Sequence, residues 1–367
     1  MNASHSDIIQ CQFSNWYTLL VGKTFKSRVI SLPVEFITYL GEDGVILPKS
    51  SKSYFNNDVL SDDEDDNTKE ISPNEDCLVC AHDFSELDTA ISEAIQELQG
   101  EVMVKLNWSS PLDAIWANAG SLKCRSASDI YLLLKASDRV TFDLEKMFDL
   151  CSSGEPIANT LGNTEPKYTL PTDQYTLVLR KWANLNPAME FRVFIRNRSI
   201  VGICQRDCCT YYDFLEAKVD DVQDHIYDFY YGTPDNAKQS LTAVGVRDLF
   251  PLENYVMDVY VDLKNRVWLV DFNPFGEPTC ALLFEWEELF AMPVSEIVSE
   301  ATAAAAASEP QLCEFRIIES AAEVLQSSKG SSRGPIDVHA ASEFRSFMDI
   351  CKAQQAEGSD SDDSSTD

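Results

Sequence analysis

Asp258, Asp271 and Asn273 are the side chains in this sequence best suited to holding a hard cation. They lie in two apolar and aromatic runs, Tyr255–Asp262 and Val267–Asn273, separated by Leu263-Lys264-Asn265-Arg266. A turn centred on Lys264 and Asn265 places Asp262 opposite Val267, Tyr260 opposite Leu269 and Asp258 opposite Asp271. Directly opposed residues of antiparallel strands hold their Cβ atoms about 4.5–5.5 Å apart, and like charges there are destabilising. Asn273 follows Asp271 by two and projects from the same face. Met257, Val259, Trp268, Leu269, Val270 and Phe272 around them predict a mostly buried sheet. Two buried, opposed carboxylates need a cation, or one must take up a proton. A magnesium ion held by one or two carboxylates and completed by phosphate oxygens and water suits this set. The alternative is a pair of solvated aspartates on the open face of an edge hairpin.

Other candidates are weaker when taken alone. Glu190 and Arg192 share a strand face by the period of two. The Arg192 fork suits a phosphate, with Glu190 orienting it or meeting a ribose; an ordinary ion pair is the alternative. Asp207, at the end of the same hairpin, could complete the charge network or the metal shell. Lys105, in isolation, reads as a surface charge on a strand. Cys77 and Cys80 have CxxC spacing without a second pair and read as chance, as do adjacent Cys208 and Cys209.

The positioning elements follow from patterning. Residues 84–100 read as an amphipathic helix with Leu87, Ile91, Ile95 and Leu98 on one face, Ser85 and Asp88 as a capping pair and Gly100 as a stop. Residues 102–108 and 176–182 read as strands, and 129–135 and 223–231 as helices. Residues 190–207 form a hairpin about Arg196-Asn197-Arg198-Ser199, and 254–275 a second one. Strand pairs mixed with helices, without a regular βαβ rhythm, predict an α+β class. Neither GxGxxG nor GxxxxGK[ST] occurs, so a Rossmann unit and a P-loop are not indicated.

The acidic stretch at 49–76 and the Ser/Asp-rich run at 358–367 read as solvated and mobile. An alanine-rich stretch at 295–310 reads as an insertion without chemistry. With 29 basic and 60 acidic residues the net charge is −31, which disfavours direct nucleic-acid binding and suits a basic protein partner. No secretory signal and no run near the roughly 18 apolar residues of a spanning helix are seen. Eleven scattered cysteines read as reduced thiols of a cytosolic or nuclear protein, and a cytoplasmic location is the one expected.

The sequence resembles the cell division cycle protein 123 family. The resemblance rests on Cys11-Gln-Phe-Ser-Asn-Trp-Tyr17, Lys105-Leu-Asn-Trp-Ser-Ser-Pro111, Ser121-Leu-Lys-Cys124, Leu177-Val-Leu-Arg-Lys-Trp182, Glu190-Phe-Arg192, Gln205-Arg-Asp207 and Asp271-Phe-Asn-Pro-Phe-Gly276. It runs in order from about residue 11 to 286, and more weakly through 313–337. It implies an ATP-grasp-like fold, two lobes with ATP and Mg²⁺ between them. It also implies an assembly chaperone for translation initiation factor 2 that binds the carboxyl-terminal domain of the γ subunit, monomeric apart from that client.

By resemblance, Lys105 reaches the α/β phosphates, with Asn107, Trp108 and Ser110 beside it. Lys123 is a further phosphate or adenine-side candidate. The main chain of Arg180, Lys181, Trp182 and Ala183 reads the adenine edge. Glu190, Arg192 and Asp207 join the ATP site, and Asp258, Asp271 and Asn273 hold the metal. The implied division is an N-terminal segment at 1–48, a lobe at 77–179, a second lobe at 180–294, and a closing strand segment at 311–340 before a tail at 341–367. Extra residues between Asp207 and Asp258, and the alanine-rich stretch, depart from the family pattern. Slow or no turnover is expected. The alternative is an ATP-grasp ligase that joins a carboxylate to an amine through an acyl-phosphate.

Overall fold

The computed structural model describes residues 3–48, 82–149, 151, 170–232, 244–294, 313–321 and 324. The acidic stretch at 49–76, the CxxC spacing, the alanine-rich stretch and residues 325–367 lie outside that set. Most of the described chain forms one unit, Met1–Cys208 with Phe214–Ile317. A second, small unit comprises Cys209–Asp213 and Ile318–Asp367, of which 209–213, 318–321 and 324 are described.

The larger unit holds two sheets. The first is antiparallel, in the order β1 (Ser27–Ser31), β4 (Thr176–Lys181), β2 (Val102–Lys105), β3 (Lys123–Cys124). It is covered by α3 (Val34–Gly41), α4 (Ser85–Glu97), α5 (Ala127–Lys135) and α6 (Asp138–Glu145), around an aromatic cluster of Phe36, Tyr39, Phe84 and Tyr131. Two short N-terminal helices, α1 (His5–Gln10) and α2 (Phe13–Trp16), bury Ile8, Phe13 and Trp16 completely. The predicted lobe at 77–179 thus borrows β1 from the N-terminal segment.

The second sheet runs β8 (Val267–Pro274), β7 (Tyr255–Val261), β5 (Glu190–Arg196), β6 (Ser199–Gln205), β9 (Glu314–Arg316), with only the last pairing parallel. The unit is completed by α7 (Val219–Tyr231), α8 (Val246–Leu249) and α9 (Trp286–Ala291). Phe194, Val201, Val256, Phe275, Phe284 and Leu289 fill one buried cluster of this sheet. At the β5–β6 turn Asn197 and Arg198 both take positive φ, 49° and 58°, as a two-residue turn matching strand twist requires.

Local signals resolve with some differences. Leu87, Ile91 and Ile95 of α4, and Leu98 at its C-cap, are buried as their spacing predicts. Ser85 does not cap it. Asp83 Oδ1 instead accepts from the Ser85 amide at 3.1 Å, so the expected Ser85–Asp88 pair is replaced by a residue two earlier. The strand predicted to reach Trp108 ends at Lys105, because the Leu106 amide turns to the Ser109 carbonyl at 2.9 Å.

The β7–β8 register is a correction. The loop between the strands has five residues, 262–266, pinned by Asp262, whose carboxylate accepts from the amides of Lys264 (2.8 Å) and Arg266 (3.0 Å). An odd loop pairs Val261 with Val267, Tyr260 with Trp268 and Val259 with Leu269. A bulge at Val270 then adds one residue to β8, and beyond it Asp258 does face Asp271. The expected apposition is present, set by this bulge and not by an even-numbered turn. An equivalent bulge at Val201 in β6 shifts its register, so that Arg192 faces Cys204.

Candidate functional site

A cleft of about 550 Å³ opens between the two sheets. Its apolar walls include Phe25, Met103, Leu122, Trp182 and Pro187. Its polar lining carries six basic side chains (Lys105, Arg139, Arg180, Lys181, Arg192, Arg206) and four acidic ones (Glu190, Asp207, Asp258, Asp271). A local positive excess inside a chain of formal charge −31 is the electrostatic signature of an anion site.

Asp258, Asp271 and Asn273 all line this cleft. Asp258 is 2% exposed and receives both arms of Arg192 at 2.8 Å, Nε to Oδ1 and Nη2 to Oδ2. Arg206 Nε adds a contact at 3.3 Å and Asn273 Nδ2 one at 3.4 Å. Burial would raise this carboxyl, but Arg192 and Arg206 outweigh it and hold it at about 2. Asp271 Oδ2 pairs with Lys105 Nζ at 2.5 Å. Burial pushes Asp271 up and Lys105 down, each partly offset by the other. The protein therefore supplies its own cations to both aspartates. This corrects the expectation that their apposition by itself demands a metal ion.

Room for one remains in the chemistry. Asp271 Oδ1 is buried without a hydrogen-bond partner, a spare anionic acceptor at the cleft. Among the described residues no group of three or more His, Cys, Asp or Glu side chains is disposed to enclose a metal. Two carboxylates with an amide fit an ion that takes its remaining ligands from phosphate and water, as Mg²⁺ does.

The other predicted residues separate into two groups. Lys105, Trp108, Ser110, Arg180, Lys181, Trp182, Ala183, Glu190, Arg192 and Asp207 line the cleft. Asn107 does not. It is fully buried, its Nδ2 donating to the Gln174 carbonyl at 3.0 Å and its Oδ1 accepting from the Thr176 amide at 2.8 Å, which ties the end of β2 to the start of β4. Lys123 also stands off the lining. It pairs with Glu101 at 3.3 Å and lies 5.4 Å from the centre of the Trp182 ring. In the segment expected to read adenine, the Lys181 and Trp182 amides are committed to the carbonyls of Lys26 (2.8 Å) and Glu101 (3.0 Å). Among the described residues, no hydrogen bond engages the Ala183 amide there.

Three contributors went unassigned in the sequence. Arg206 bridges Asp258 and Glu190, the latter through Nη1 at 3.1 Å. Burial raises Glu190, and Arg206 opposes this. Asp143, buried on α6, accepts from Ser109 Oγ (2.7 Å) and from the amides of Ser109 (2.8 Å) and Trp108 (3.3 Å), clamping the loop after β2. Phe13 sets its ring against two buried cations, Lys105 Nζ at 5.7 Å and the Arg180 guanidinium at 5.3 Å. Phe13 and Arg206 sit inside the resembling segments, and the odd spacing that puts Arg206 beside Glu190 is the Val201 bulge.

The D123 family model matches residues 16–342, a span containing every strand of both sheets. The chain belongs to the D123 family. Among its relatives, the translation initiation factor eIF2 assembly protein of Botryotinia fuckeliana (strain B05.10) is 39% identical over 297 residues, 79% of this chain and 66% of that protein. The protein of the same name from Xenopus tropicalis is 37% identical over 293 residues, 77% and 78% of the two chains. The match thus spans just under two thirds of the length of the fungal relative. The solved structure of Cdc123 from Schizosaccharomyces pombe shares the D123 architecture seen here, with a TM-score of 0.62 and 31% identity over 87% of this chain and 100% of that one. Among the described residues, no helix is long and apolar enough to cross a membrane.

Proposed function

We infer that this D123 chain binds ATP with Mg²⁺ in the cleft between its sheets, in the manner of an ATP-grasp protein. The reading includes a cytoplasmic role in assembling translation initiation factor 2, by engaging the carboxyl-terminal domain of its γ subunit. The observation that carries the nucleotide reading is the local excess of basic side chains in a concave, partly apolar site of a strongly acidic chain. The assembly role rests on the names of relatives 37–39% identical to this chain.

Asp258, Asp271 and Asn273 would hold the metal, which supplies neutralisation of the phosphate oxygens. Lys105, Arg192 and Arg206 already sit against the two aspartates and can turn their charge to phosphate. Glu190 holds Arg206 from the side. Asp143 keeps the Trp108–Ser109 main chain in place over this end of the cleft. Phe25, Met103, Leu122 and Trp182 supply apolar walls for a purine, and the Ala183 amide a donor for its edge. Ordered binding of this kind favours one arrangement of the two sheets, a conformational effect that needs no covalent chemistry.

Titration calorimetry of the full chain with ATP, with and without Mg²⁺, tests the site. Saturable binding that strengthens with Mg²⁺ is expected, and no heat of binding in either condition overturns it. Capture of the isolated γ-subunit domain by the chain tests the partner; no retention with MgATP present would remove the assembly role.

A further inference from the structure

The apposition of Asp258 and Asp271 depends on one extra residue in β8. Val270 has no partner on β7, since Val259 faces Leu269 and Asp258 faces Asp271. A bulge leaves main-chain groups outside the ladder, and a buried carbonyl needs a donor from elsewhere. The donor comes from the other sheet. Arg180 of β4 points its Nη1 at the Val270 carbonyl, at 2.6 Å. Its Nη2 meets Thr24 Oγ1 at 3.0 Å and the Leu269 carbonyl at 3.5 Å. Thr24 Oγ1 itself donates to the Leu269 carbonyl at 2.8 Å, and the Leu269 amide donates to the Lys23 carbonyl at 2.8 Å.

This guanidinium is an unusual one. It is 3% exposed, and among the described residues it has no carboxylate within ion-pair distance and no hydrogen-bond partner for Nε. Phe13 and Phe25 rings lie 5.3 and 5.2 Å from it. A buried cation without an acid in direct contact is retained against a large desolvation cost. It donates to main-chain carbonyls of the bulged strand, and the nearby Asp271 charge is the largest influence opposing the cost of its burial.

The geometry points to Arg180 as a positioning residue that fixes the register of the β7–β8 hairpin by holding the Val270 bulge. Without it the loop's register runs on unbroken, Asp258 faces Val270 and Asp271 faces Met257. Because side chains alternate, that slip moves Asp271 from the cleft to the apolar face where Met257 is fully buried. The consequence for nucleotide rests on the proposed function; the register does not.

Two substitutions and one deletion test this. Cross-strand backbone NOEs in the full chain report which residue faces Asp258, and calorimetry with MgATP reports the site. Arg180→Met, which keeps the stem, should transfer the Asp258 contacts from Asp271 to Val270 and weaken MgATP binding about 10- to 100-fold, as loss of an outer support of a metal site does. Arg180→Lys, the milder variant, should show the same in smaller degree. Deleting Val270 makes the strand regular and pairs Asp258 with Asp271 without a bulge. In that background Arg180→Met should leave the pairing of Asp258 with Asp271 unchanged. Unchanged Asp258–Asp271 contacts in both Arg180 variants overturn the proposal. So does loss of that pairing when Arg180→Met is made in the chain lacking Val270, which would mean that Arg180 acts on the hairpin otherwise than through the bulge. Should MgATP fail to bind even the unaltered chain, the NOEs alone still decide the register.

Discussion

Lys105 at the end of β2 and Asp271 on β8 meet at 2.5 Å, so an ion pair ties the first sheet to the second. Lys105 is 1% exposed, and its only carboxylate within ion-pair distance among the described residues is Asp271. Removing one member of a buried pair strands the other charge and costs about 3–5 kcal/mol, whereas replacing both with apolar groups is far less damaging. Lys105→Met and Asp271→Leu should each lower stability on that scale in urea unfolding. The double variant should recover a large part of the loss. Additive losses would show that the two residues act independently.

Asp258 makes an acid-side contribution to stability. Its carboxyl sits at about 2 in the folded chain, because Arg192 and Arg206 overcome the opposing effect of burial. The unfolded value is about 3.9. A depressed folded pKa gives stability that is present above the unfolded value and lost as pH falls toward 2. The difference amounts to about 2.6 kcal/mol at most. Asp258→Asn should remove that dependence and leave the Arg192 fork facing an amide, lowering the melting temperature at neutral pH. A variant that melts like the parent at pH 7 would contradict the pairing.

Asp143 acts in the opposite sense. Burial raises it to about 6 despite the hydroxyl and amides of the Trp108–Ser109 turn. A raised folded pKa gives stability that is complete below about 4 and lost as pH rises to 6, about 3 kcal/mol at most. A carbon-detected titration of the Asp143 carboxyl should show its midpoint near the folded value. Asp143→Ala should speed amide exchange at Trp108 and Ser109 without disturbing the second sheet. A midpoint near 4 would mean that the three donors dominate over burial.

What the sequence made legible was mostly local. Leu87, Ile91, Ile95 and Leu98 declare their helix face, and the residues flanking Asp258 and Asp271 declare a buried hairpin. The groups that meet across sheets were not legible from spacing, because a period says which face a residue occupies and nothing about what lies opposite. Asp271 and Lys105 are 166 positions apart. Arg180 shows the same limit: its strand was foreseen through its main chain, while its guanidinium spans to Val270. Bulges were the other blind spot. Val201 and Val270 are ordinary strand residues by type, yet each shifts a register by one. Asn107 was misplaced because family position implied a ligand contact, whereas burial turns its amide to the main chain at Gln174 and Thr176.

Phe13 offers the last test, and a sharp one because it carries no polar atom. Its ring lies against both Lys105 and Arg180, the two buried cations of the first sheet that reach toward β8. It also packs edge-on to Trp16 with centroids 4.5 Å apart, and stacks on Tyr17 at 5.1 Å. If the ring merely fills space, Phe13→Leu should cost the modest amount of a near-conservative core change, about 1–1.5 kcal/mol. If its π-face also stabilises desolvated charge, each such contact adds about 0.5–2 kcal/mol. A double-mutant cycle of Phe13→Leu with Arg180→Met, run in the chain lacking Val270 so that no register change accompanies it, isolates that part. Urea unfolding should return a coupling of at least about 0.5 kcal/mol, in the sense that the Phe13 change costs less once Arg180 is gone. Zero coupling would assign the ring to packing alone and leave the Arg180 charge dependent on carbonyls.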